Sequence, residues 1–171
     1  MDKLTKLAIK HKTDKWGKHN YTPFYYDLFK DKVKEVKKVV EIGAGEGAGL
    51  RMFRDFFPNA QIYGGEIDNN RLFTEDRITV FKCNQTNEMD LASLIIETGM
   101  DIDLFIDDGS HKPEDQIFTC LVIMPYLVKD SIYVIEDVSD PDIIKKLSKY
   151  DCKVVEFSER YDDRIIVVKH K

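Results

Sequence analysis

The chain has 171 residues, 43% of them hydrophobic and 33% charged, with a formal net charge of −5. A chain of that size buries roughly 70% of its unfolded surface, and its composition excludes disordered and membrane-spanning classes. The acidic balance disfavours polyanionic partners, and no basic stripe interleaved with aromatics offers a nucleic-acid surface.

No apolar run approaches the ~18 residues of a spanning helix, so no membrane contact is expected. The N-terminus, MDKLTKLAIKHK, is too charged for a signal peptide. Cys83, Cys120 and Cys152 are far apart in apolar surroundings. They read as buried free thiols of a reducing compartment, which makes the cytoplasm the expected location.

Residues 2–11 place Leu4, Leu7 and Ile9 among lysines, the pattern of a short amphipathic helix. A polar and aromatic stretch follows, in which Thr22 is positioned to cap a helix with Pro23 at its first position. Its aromatics, Trp16, Tyr21, Phe24, Tyr25, Tyr26 and Phe29, read as a helix packed on a sheet edge. From Lys38 the chain alternates. KKVVEIGAG, a strand breaking into glycines, QIYGGEID, ITVFKCN, IDLFIDDG and SIYVIEDV read as strands, with helical patterns after the first, third, fourth and fifth. The last of those helices is expected over 141–150. CKVVEFSE and RIIVVKHK are two final strands joined by a polar turn as an antiparallel hairpin. Such alternation implies right-handed crossovers and a mostly parallel, doubly wound α/β sheet covered on both faces. One domain is expected over 1–171, with 1–37 a helical extension.

Glycines at a strand end serve a sharp turn or a close ligand approach. Gly43, Gly45 and Ala48 match the dinucleotide pattern G-x-G-x-x-G/A, and Glu66 ends the next strand, where a carboxylate can hold a ribose diol. A tight turn made for packing is the alternative. Glu41 and Glu46 beside the loop would repel a pyrophosphate but not an ammonium or a sulfonium. The loop therefore favours S-adenosylmethionine over a nicotinamide dinucleotide.

Two buried strands also deliver acids to one rim: Asp107 and Asp108 after Leu104–Ile106, Glu136 and Asp137 after Ile132–Ile135. Asp108, Glu136 and Asp137 supply hard oxygen donors suited to Mg²⁺ or Mn²⁺. The alternative is that these acids cap the following helices. His111, three residues past Asp108, is a candidate general base, because imidazole titrates in the physiological range; a structural histidine is the other reading. His19 with Tyr21 could line an acceptor pocket, as could the FSERYDD turn, but exposed loop positions are expected for the pair.

The order VEIGAGEG, QIYGGEID, IDDGSH, YVIED, preceded by TDK at Thr13–Lys15, resembles the class I S-adenosylmethionine-dependent methyltransferases. Within them it is similar to the metal-dependent sugar O-methyltransferases of macrolide biosynthesis and to cephalosporin-hydroxylase-like proteins. The resemblance implies a seven-stranded sheet of order 3-2-1-4-5-7-6 with the last strand antiparallel. It implies Glu41, Gly43 and Gly45 around the methionine portion, Glu66 on the ribose and Asn84 and Gln85 near the adenine. Asp107 and Thr13 complete that pocket, although Asn84 stands where an aspartate is common. The implied reaction is O-methylation of a sugar or glycan hydroxyl on a vicinal diol. A divalent metal would lower the hydroxyl's pKa, with Asp108 and His111 catalytic. Homo-oligomer formation is left open, since relatives often carry an extra N-terminal domain. The rival readings are a nicotinamide-dependent oxidoreductase and a non-catalytic cofactor-binding module.

Overall fold

The alternation folds into one eight-stranded mixed sheet with helices on both faces. The computed structural model describes residues 1–158 and 160–171. Helices α1 (Lys3–His11) and α2 (Tyr21–Phe29) precede strand β1 (Lys38–Ile42), α3 (Ala48–Phe56) and β2 (Gln61–Glu66). Then come β3 (Thr74–Glu75), β4 (Ile78–Lys82), α4 (Glu88–Thr98), β5 (Leu104–Asp107), α5 (Pro113–Ile123) and β6 (Ile132–Ile135). The hairpin β7 (Asp151–Glu156) and β8 (Arg164–Lys169) ends the chain.

The sheet order is β3-β4-β2-β1-β5-β6-β8-β7. Without β3 this is the expected 3-2-1-4-5-7-6, and β8 runs antiparallel to both its neighbours. The addition is β3, a two-residue strand pairing antiparallel with β4 at the edge. Every residue of β5 and β6 is buried, as a sheet covered on both sides requires. Alternate residues face opposite layers. Val39, Leu104, Ile106 and Val134 pack with α1, α2 and α3, whereas Val40, Ile42, Phe105 and Tyr133 pack with α4 and α5.

Local signals explain most element ends. Asp2 caps α1 by accepting from the Thr5 N–H at 2.8 Å. Asn87 caps α4, and Gly99 stops it with a positive φ of +78° that suits glycine. Pro113 sits in the first turn of α5, as its fixed φ allows. Two expectations need correction. Thr22 does not cap α2, which starts at Tyr21 after Asn20; its buried hydroxyl lies 2.7 Å from that of Thr5 and ties α2 to α1. The helix expected over 141–150 is a 3₁₀ turn, Pro141–Lys145, continued by tight i→i+3 closures. These tight turns leave Ile143, Leu147 and Tyr150 all buried in the core.

Candidate active site

Two cavities meet over the glycine loop at the carboxyl ends of the strands, the rim where open α/β sheets bind ligands. Gly43 has φ +87°, and a Cβ there would stand 1.9 Å from the Asp108 carbonyl oxygen. Its glycine is therefore demanded by the neighbouring strand end. Gly45 differs: a Cβ on it would meet no atom within 4 Å, so its face is open to a ligand. Its N–H donates to Glu66 Oε2 at 2.8 Å, and Glu66 Oε1 accepts from the Asp68 N–H at 2.9 Å. Glu66 is thus fixed at the wall of a cavity of about 480 Å³, lined also by Gly43, Gly45, Asn84, Gln85 and Ser110.

Gln85 knits that wall together. Its Nε2 donates to Asp107 Oδ1 and Thr119 Oγ1, both at 3.1 Å, and its Oε1 accepts from the Ser110 N–H at 2.5 Å. Asn84 lines the cavity too, with its side-chain oxygen engaged by Thr86. Asp107 lies behind the wall rather than in it. It is 1% exposed, and burial pushes its carboxyl up to about 7 against the hydrogen bonds from Gly109 and Gln85. The cause is the strand's period of two, which turns Asp107 and Asp108 to opposite faces.

The second cavity, about 450 Å³, is lined by Thr13, Glu41, Asp108, His111 and Asp137, and shares Gly43 and Gly45 with the first. Asp108, His111 and Asp137 each present a ligand atom, and these lie within 4.8 Å of one another. His111 and Asp137 both hold left-handed backbone, at φ +58° and +51°, strain that non-glycine residues retain where the surroundings over-determine it. Tyr21 donates to Asp137 Oδ1 at 2.7 Å, and His111 Nε2 lies 3.9 Å from Asp137 Oδ2. His19 Nε2 stands 3.5 Å from Asp137 Oδ1, while its Nδ1 is 3.0 Å from Asp163 Oδ1. Two carboxylates and an imidazole opening on a cavity are a donor set that fits a hard divalent ion.

Glu136, expected beside Asp137 as a ligand, is placed otherwise. It is 1% exposed, accepts from Tyr25 OH at 2.6 Å and is bonded through its other oxygen to Lys15 Nζ. That buried ammonium also reaches Glu41 Oε1 and Asp108 Oδ2, each at 2.9 Å. Burial works against the charge on Lys15, but Asp108, Glu136 and Glu41 hold it well above the usual lysine range. Burial also raises Glu41 and Glu136, with Lys15 pulling the other way. The phenols of Tyr21 and Tyr25 are pushed up by burial and by Asp137 and Glu136 respectively, so both act as donors. His19 and Tyr21 are accordingly buried, 2% and 0% exposed, contrary to the exposed positions expected; His19 lies in the connection between α1 and α2, and Tyr21 opens α2. Of the FSERYDD segment, Glu159 lies outside the described residues.

No family model matches the chain. Among curated proteins it is 33% identical over 141 residues to the 8-demethyl-8-alpha-L-rhamnosyl tetracenomycin-C 2′-O-methyltransferase of Streptomyces olivaceus, covering 78% of this chain and 37% of that protein. It is 33% identical over 142 residues to the mycinamicin VI 2″-O-methyltransferase of Micromonospora griseorubida, with 78% and 35% covered. The chain spans about a third of the length of the curated relatives it matches. Among solved structures, the MycE methyltransferase of the mycinamycin pathway in complex with Mg, SAH and mycinamycin VI superposes with a TM-score of 0.79 at 26% identity, covering 98% of this chain and 54% of that one. The chain has the class I methyltransferase fold.

On this methyltransferase fold the glycine loop, Glu66, Gln85, Asp108, His111 and Asp137 gather at one rim. Lys15, Tyr21 and Tyr25 complete it; Lys15 and Tyr25 were given no site role from the sequence, and Tyr21, considered there only for an acceptor pocket, instead holds Asp137. The only signal for Lys15 was the TDK triplet; nothing local pairs it with an acid more than 90 residues away.

Proposed function

We propose that the chain is an S-adenosylmethionine-dependent, divalent-metal-dependent O-methyltransferase acting on a hydroxyl of a sugar or glycan that carries adjacent hydroxyls. The observation that carries this reading is the convergence of Asp108, His111 and Asp137 beside a glycine loop whose Gly45 and Glu66 face one continuous cleft. Its relatives among sugar O-methyltransferases support it.

In this reading Glu66 holds the ribose hydroxyls, Gly43 and Gly45 let the backbone approach the cofactor, and Glu41 and Thr13 stand at its methionine end. Asn84 and Gln85 border the adenine. The cofactor supplies an electrophilic methyl group. Asp108 and Asp137 would hold the metal, whose Lewis acidity would lower the pKa of an acceptor hydroxyl. His111, at the mouth of the cleft, takes the acceptor's proton at Nε2. Tyr21 fixes Asp137 by a hydrogen bond, so the carboxylate cannot swing away. The rest of the contribution is positioning, and holding two reactants in line is worth several kcal/mol.

Calorimetry with S-adenosylmethionine, and separately NAD, each with and without Mg²⁺, tests the assignment. Adenosylmethionine is expected to bind, and Glu66→Ala to weaken it by about 1.5–3 kcal/mol, the worth of hydrogen bonds to a charged group. Tight NAD binding with no adenosylmethionine binding would sink the methyltransferase reading.

A further inference from the structure

Three carboxylates from three strand ends surround one ammonium. Lys15 Nζ touches Glu41 of β1, Asp108 after β5 and Glu136 after β6, and its side chain is 2% exposed. A buried cation of this kind is costly unless its partners are fixed, and here they are. Tyr25 clamps Glu136, and the Asp108 N–H is bonded to the Ile42 carbonyl at 3.0 Å. The rim nevertheless keeps an excess of acid. Among the described residues Glu41 Oε2 is buried with no hydrogen-bond partner, on a residue that lines the second cavity, and Asp137 adds a further carboxylate. An unpartnered buried oxygen of this sort can accept a further donor, and the Lys15 ammonium is already beside the same carboxylate.

We propose that the Lys15 ammonium is a resident cation of the acidic rim: it holds Asp108 and Glu136 in the absence of a divalent ion, and its charge limits how tightly that ion binds. The idea rests on the metal site proposed above and adds an element to it. One residue, Asp108, serves both cations, so a divalent ion entering between Asp108 and Asp137 meets a positive charge that shares its ligand. Binding then requires Lys15 to lean on Glu41, whose free oxygen gives it somewhere to go. Lys15 is in this sense a positioning residue, linking the strand under the glycine loop to the metal ligands.

The test measures Mn²⁺ binding by the loss of its free-ion paramagnetic resonance signal, together with thermal unfolding with and without Mn²⁺. Lys15→Met keeps the length of the side chain and removes its charge. It is expected to lower the midpoint of the metal-free protein, to tighten Mn²⁺ binding at least tenfold, and to enlarge the rise in midpoint that Mn²⁺ produces. Lys15→Arg, which keeps the charge, is expected to bind Mn²⁺ within a few fold of the wild type. Should Lys15→Met fail to fold without metal, refolding in Mn²⁺ is expected to rescue it. Unchanged or weaker Mn²⁺ binding in Lys15→Met, or no rescue, overturns the proposal. Absence of Mn²⁺ binding by the wild type would instead overturn the metal site itself, so the two failures are distinguishable.

Discussion

Two of the residues proposed to serve the reaction, His111 and Asp137, hold left-handed backbone beyond strand ends. That geometry aims a side chain across the rim rather than along the strand, and it persists because neighbours fix it. For Asp137 the neighbours are Tyr21 and His19; His111 is freer, with 43% of its side chain exposed. A half-exposed imidazole beside the cleft suits proton transfer better than scaffold duty. His111→Ala is therefore expected to retain the fold, cofactor affinity and Mn²⁺ affinity within a few fold, and to lose roughly 10²–10⁴ in turnover. Turnover like the wild type would make His111 a bystander. A collapse of Mn²⁺ affinity would make it a third ligand in place of the base. The acids and this histidine were legible because a buried apolar run that surfaces into charge is a local pattern. Lys15 and Tyr25 were not, since their partners lie far along the chain.

At the scale of elements, α1 is fastened to α3 by one carboxylate. Asp55 Oδ2 accepts from Lys10 Nζ at 2.7 Å and lies 2.8 Å from His11 Nε2, and Arg54 bonds the other oxygen. Burial works to raise its pKa, but the hydrogen bonds from Lys10, His11 and Arg54 outweigh it and hold the carboxyl well below its ordinary value of 3.8. The sign of the linkage follows. A depressed folded pKa gives stability that is fully present above the unfolded value and is lost as pH falls through the folded one. Asp55→Asn should thus be less stable than the wild type above about pH 4, with the gap in urea midpoint narrowing progressively as the pH falls below about 4. A gap that stays constant with pH would show that the charge of Asp55 does not fasten α1. Helices α1 and α4 could be read from sequence because the spacing of their apolar residues is local. The 3₁₀ segment after Asp140 could not, because its tight turns bring Ile143, Leu147 and Tyr150 into a core assembled by other elements.

For the molecule as a whole, the N-terminal segment is part of the site rather than an appendage. Residues 13–25 bring Thr13, Lys15, His19, Tyr21 and Tyr25 against the ends of β1 and β6, and α1 and α2 cover the layer built on Phe53, Phe56 and Phe57. The rings of Phe56 and Phe57 are 4.8 Å apart, and Phe29 of α2 packs edge-on to Phe57 at 5.3 Å. Deleting residues 1–29 would uncover these aromatics and leave Glu41, Asp108 and Glu136 facing one another without their cation. Loss of a cooperative near-ultraviolet circular dichroism transition is expected. A truncated chain that melted cooperatively at the wild-type urea midpoint would show the segment to be dispensable.

The sequence by itself determined the alternation of strands and helices, a mostly parallel sheet, the glycine turn with Glu66, and the acids at two strand ends; the order of the strands came only with the family resemblance. The former follow from local rules: residue period and the need to bury both faces of a parallel sheet. Only the tertiary structure decided which way neighbouring acids face. It turned Asp107 inward to Gln85 and Asp108 outward, and gave Glu136 to Lys15 and Tyr25 while leaving Asp137 at the rim. Alternation at the end of β5 separates Asp107 from Asp108, and the left-handed backbone of Asp137 separates it from Glu136. Which member meets a cation depends on what packs above it, and here that is a segment more than 90 residues upstream.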